Sequence, residues 1–92
     1  MLNPKEIAEI EFSLKQEAFE INGDKVKLSF SKQYVAEDPF AEHCVIQARV
    51  GNHGNHIALS TRDITRPGAV HRAVANLKES LTQDIAKPMF EL

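Results

Sequence analysis

The spacing of apolar residues changes twice along this chain, and those changes restrict the fold more than any other property. Near the start, Ile7, Ile10 and Leu14 recur three and four apart, the repeat of a helix with one buried stripe. In the middle the repeat falls to two, in Val26-Leu28-Phe30, Cys44-Ile46-Ala48-Val50 and Ile57-Leu59-Thr61. That is the signature of strands with one face covered. From Val70 the helical repeat returns with Val74, Leu77 and Leu81, and Ala69 and Ala73 lie beside them. A helix, a set of strands and a second helix specify an α+β fold in which the helices cover one sheet face.

Local signals place the boundaries. Asn3 is a good N-cap, Pro4 suits the first helical position and Glu6 completes a capping box, so a helix is expected at about 4–16. Asn22-Gly23 signals a type I′ hairpin, with Glu20 opposite Lys25 and Phe19 opposite Val26. Residues 31–42, "SKQYVAEDPFAE", show no period and contain Asp38-Pro39, which reads as a long loop with room for a short helical turn. Pairing Val50 with Ile57 puts both apolar sets on one side and leaves His53-Gly54 at the centre of a second hairpin turn. The last helix starts near Pro67 and stops around Lys87-Pro88. The expected order is α-β-β-β-β-α. A four-stranded antiparallel sheet carries an N-terminal and a C-terminal helix on one face, in a single domain over residues 1–92. Phe12, Phe19 and Phe30 are assigned mainly to its core.

Ninety-two residues allow one modest core and little room for an internal active site. "MLNPKEIAEIEF" does not read as a signal peptide, no apolar run approaches a membrane span, and the single cysteine, Cys44, excludes an internal disulfide. A soluble, cytoplasmic protein is expected.

The stretch "RVGNHGNHIAL" (49–59) brings His53 and His56 close together, but no acid or thiol stands beside them, so a polar turn explains them better than a metal site. Cys44 falls on the inward phase and is expected to be inert. His56 and Ser60 share a face, yet no third group orients the histidine. His71 is expected on a solvated helix face. "GNHGNH" lacks the lysine and the strand-to-helix setting of a phosphate loop. No enzyme activity, metal or cofactor is expected.

Charge is more informative. The net charge of −2 conceals segments of −4 (1–24), +3 (25–35), −3 (36–42) and +4 (43–78), with −2 in the remainder. The outward phase of the strands carries Lys25, Lys27, Gln47, Arg49, His56, Ser60 and Arg62, and Arg66 and Arg72 follow at the last helix. Polar residues are ordinary on an open sheet face, but here the acids lie elsewhere. A local basic surface suited to phosphate or to acidic side chains is the result. It lacks aromatic residues for base stacking. The expected partner-binding residues are Lys25, Lys27, Lys32, Arg49, Arg62 and Arg66, with His53 and Asn55 at the hairpin tip.

Two resemblances follow from these features. "HCVIQARVGNHGNHIALSTRDITRPGAVHRAVANLKESL", preceded by a helix and an earlier strand, resembles the order of a double-stranded RNA-binding domain. Where that family has a lysine-rich signature at its second helix, "TRPGAVHRAV" offers Arg66 and Arg72. The length, acidic net charge, α+β build and lack of catalytic motifs are similar to those of small phage-encoded anti-CRISPR proteins, in particular inhibitors of the type I-F Cascade surveillance complex. That resemblance implies a stoichiometric inhibitor in the host cytoplasm. It would bind a protein or protein–RNA complex, touch Cas backbone subunits and in some instances guide RNA, and block pairing with target DNA.

Overall fold

A computed structural model describes residues 2–35 and 38–86. Helix α1 (Pro4–Gln16) opens with the expected capping box: Glu6 N–H donates to Asn3 Oδ1 at 2.8 Å, and Asn3 N–H donates to Glu6 Oε1 at 3.1 Å. Strands β1 (Glu20–Ile21) and β2 (Asp24–Lys25) then form a hairpin with Glu20 opposite Lys25. Asn22 and Gly23 have φ of 53° and 84°, the positive pair that a type I′ turn requires.

Strands β3 (Lys27–Val35), β4 (Asp38–Val50) and β5 (His53–Ser60) make an antiparallel sheet in the order β3-β4-β5. A short helix α2 (Thr61–Ile64) and the long helix α3 (Ala69–Ala86) complete the chain.

The α+β class agrees with the sequence, but the single four-stranded sheet is replaced by sheets of two and three strands. The break falls at Val26. Its N–H still donates to Phe19 O at 3.0 Å, so β2 runs into β3 with one residue between them. The long loop expected at 31–42 is also overturned, because β3 extends to Val35 and β4 starts at Asp38. Ladders are built by backbone groups, so a polar run can extend a sheet without an alternating apolar pattern to announce it. Pro39 is tolerated because it has no ladder partner among the described residues: β3 pairs with Glu42 and then with Asp38 across an irregularity, and β5 joins β4 only from His43 onward.

The second hairpin is shifted by four residues. Val50 pairs with His53 and Ile46 with Ile57, and the turn is Gly51-Asn52. Gly51 has φ of +57° and Asn52 does not share a positive φ, which is the type II′ arrangement with glycine first. The expected turn would have forced His53 into a positive φ, a costly conformation for a side chain with a Cβ. Thr61 and Arg62 leave the sheet and start α2, where Ser60 Oγ accepts from Asp63 N–H at 3.1 Å.

Both helices pack on one face. Ile10 and Leu14 of α1, Val70, Ala73, Val74, Leu77 and Leu81 of α3, and Ile64 of α2 enclose Cys44, Ile46, Ala48 and Val50 of the central strand. Cys44, Ile46 and Ala48 have no exposed surface. Phe19 and Phe30 pack at the margin of this cluster, whereas Phe12 is 64% exposed and does not belong to the core. Leu81→Ala should therefore lower unfolding free energy by about 2–5 kcal/mol, the range for emptying a buried leucine site. Phe12→Ala should change it by less than about 0.5 kcal/mol, as at ordinary surface positions. Urea titrations of the two variants check this difference.

Candidate binding surface

The face of the β3-β4-β5 sheet turned away from the helices carries the odd-numbered residues from Lys27 to Ser31 and from His43 to Arg49, and the even-numbered residues of β5. The register arranges them in rows: Lys27 beside Arg49 beside Gly54, then Ser29 beside Gln47 beside His56, then Ser31 beside Val45 beside Ala58. Lys27, Arg49 and His56 are exposed. Lys27 and Arg49 are direct cross-strand partners. Like charges in that relation repel, and no carboxylate pairs with either among the described residues.

Gly54 explains how Arg49 lies. Its φ is not positive, so it is not there for backbone freedom. A Cβ at position 54 would come within 3.3 Å of Arg49 Cγ and 3.7 Å of Arg49 Nε. The arginine therefore lies across β5, against the space that a Cβ at position 54 would enter.

The eight residues expected to bind a partner do not form one patch. Lys25 adjoins Lys27, but Glu20 faces it across the hairpin. Arg62 lies on α2, at the far end of β5 from Arg49. Arg49 and His43, which pairs with Ser60, are six positions apart on β4, roughly 20 Å at strand rise. The uncharged Ser31-Val45-Ala58 row lies between the two groups. Arg66 sits beyond α2 and forms an exposed 3.6 Å ion pair with Asp63.

Three residues fall on the other side of the sheet. Lys32 pairs with Cys44 and so has the phase of the helix-covered face. His53 pairs with Val50 on the same phase and lies beside the turn, not in it. Asn55 is not at the hairpin tip. Its Nδ2 donates to Ser80 Oγ of α3, and its Oδ1 accepts from His56 N–H at 2.8 Å. It ties β5 to the helix layer, a role that single-sequence reading missed because the four-residue shift in pairing hides it.

Cys44 is fully buried, and no cluster of three metal-ligating side chains occurs among the described residues. His71 is exposed, as expected for a solvated helix face, and makes a 2.8 Å contact from Nδ1 to Glu17 Oε1. The two line a cleft of about 350 Å³ between α1 and the start of α3, together with Glu6, Glu9, Ser13 and Arg66. No hydrogen bond joins Ser13 to His71, so the cleft holds an oriented histidine without an engaged nucleophile.

No family model, curated protein or solved structure matches this chain. No described helix is long and apolar enough to cross a membrane.

Two predictions follow from this geometry. Asn55→Ala should cost about 1–3 kcal/mol of stability, because it strands the half-buried Ser80 hydroxyl, and a urea titration reads that loss. Lys27→Glu places opposite charges across the β3-β4 ladder and should raise stability by about 0.2–1 kcal/mol, visible as a higher urea midpoint at low salt.

Proposed function

We propose that this protein is a non-enzymatic inhibitor that docks on a bacterial nucleoprotein complex through its open sheet face. The observation that carries the reading is the Lys27–Arg49 pair. Two cationic residues stand opposite each other across the β3-β4 ladder, with no acidic partner among the described residues, on a face that no described helix covers. A phosphate or a carboxylate placed between them would relieve their repulsion. The anti-CRISPR resemblance supplies the target class: a type I-F surveillance complex, with protein and guide RNA both within reach of such a face. Inhibition would be stoichiometric, by occlusion of the route to target DNA. Lys27 and Arg49 are the proposed centre, with Lys25 at its margin. Arg62 and Arg66 form a separate basic group at the other end of the sheet. Lys32, His53 and Asn55 lie outside the centre.

The test is target-DNA binding by a purified type I-F complex titrated with this protein. Inhibition should saturate near one equivalent per site. The Lys27→Glu, Arg49→Glu double variant, with its fold verified by circular dichroism, should lose at least about tenfold in affinity, because both charge contacts become repulsive. Retention of full inhibition by the double variant overturns the sheet-face reading.

A second reading, a free-standing domain that binds double-stranded RNA, is supported by the three-stranded antiparallel sheet between α1 and α3, although the β1-β2 hairpin and α2 interrupt that order. It requires affinity for bare duplex RNA that falls steeply with salt. Gel shifts of a short RNA duplex at two salt concentrations separate it from the first.

A further inference from the structure

The two edges of the β3-β4-β5 sheet differ. Strand β3 carries Lys27 and Lys32, and its pairing with β4 is irregular between Tyr34 and Val35. Edge lysines and bulges are devices that discourage another strand from pairing. Strand β5, His53–Ser60, has no lysine, acid or proline in its eight residues. Its backbone pairs only with β4 among the described residues, so the backbone groups of every second residue face outward; His56 N–H is taken by Asn55 Oδ1 at 2.8 Å, and those of Gly54 and Ala58 are left open to a further strand.

Beside that edge runs a groove of about 280 Å³ between β5 and α3. Its floor is Ile57, Leu59, Ala69 and Ala73, and Arg66, Arg72 and Asn76 also line it. Asp63 is its one acidic lining residue, and it is already engaged by Arg66 at 3.6 Å. On the opposite face of the same strand, the Arg49 side chain lies across Gly54. Cations therefore flank the open edge on both sides.

We propose that the free edge of β5 is a docking site for an extended acidic segment of a partner protein, which adds to the sheet as a further strand. Main-chain hydrogen bonds to β5 supply affinity, and alternate side chains supply selection. Every second residue of the incoming segment turns toward the groove, where apolar side chains meet Ile57 and Leu59 and a carboxylate meets Arg72. The residues between them lie on the open face, where an acidic side chain near Gly54 meets Arg49. A second copy of this chain is disfavoured as the occupant, because pairing β5 with β5 would bring the arginines of both copies together. The site shares Arg49 with the sheet-face reading but needs neither nucleic acid nor Lys27.

The test uses the full chain and an acetylated octapeptide alternating Asp and Val, followed by backbone amide NMR and hydrogen exchange. Alternate amides within His53–Ser60 should shift and exchange at least about tenfold more slowly with the peptide in excess. A Lys-Val octapeptide should do neither. Arg72→Glu and Ala58→Glu, both at exposed positions, should each weaken the acidic peptide by about fivefold or more. Lys27→Glu should leave the β5 response in place while weakening any sheet-face partner, so the two readings fail separately. The proposal is overturned by equal binding of both peptides, or by slowed exchange on β3 instead of β5. It is also overturned by concentration-dependent dimerisation through β5 that the peptide cannot displace.

Discussion

The structure depends on the burial of one side of β4. Cys44, Ile46, Ala48 and Val50 project from the central strand into a layer that both helices reach, and every long element contributes to the cluster around them. In a chain this short, no second core exists to compensate for a fault there. The positions of α1, α3, β3 and β5 follow from the need to enclose those four side chains. The character of the outer face follows too. Once the helices are committed to one side, the other side of the same sheet has no layer over it.

That asymmetry connects the fold to the proposed docking. Residues on the covered side are chosen for volume, and residues on the open side are free to be chosen for charge. Lys27 opposite Arg49 is not a choice that favours folding, since it places repulsion across a ladder. Glycine opposite arginine at position 54 is not one either, because glycine weakens a strand interior. The outer surface keeps both, and the glycine leaves room for the Arg49 side chain to lie across β5.

Sequence reading recovers the elements set by local chemistry. The bounds of α1 follow from Asn3, Pro4 and Glu6, and the first hairpin follows from Asn22-Gly23, because in each a specific backbone requirement selects a residue type. The inner and outer phases of β4 and β5 were legible for the same reason: a period of two has only two settings. Four features were not legible. The continuation of β3 and β4 through residues 31–42 rests on backbone pairing, which leaves no imprint on side-chain order. The break at Val26 is a matter of ladder geometry between two strands that read as one. The split of the cations into two groups required knowing how many residue rows separate Arg49 from Arg62. Asn55 was misassigned because the four-residue offset in the pairing of β4 with β5 hid its place beside Ser80.

The four-residue offset between the expected and observed pairing of β4 with β5 bears on how the chain reaches its native state. Because the offset is even, the slipped hairpin also buries Ile46 with Ile57's side of the sheet, and hydrophobic patterning alone barely distinguishes the two. Discrimination falls to Gly51, which closes the correct turn without strain, and to the Asn55–Ser80 bond, which only the correct alignment offers. Those two small polar features act as a proofreading step: the oily side chains drive collapse, and the turn and the amide decide which of two nearly equivalent collapsed hairpins survives.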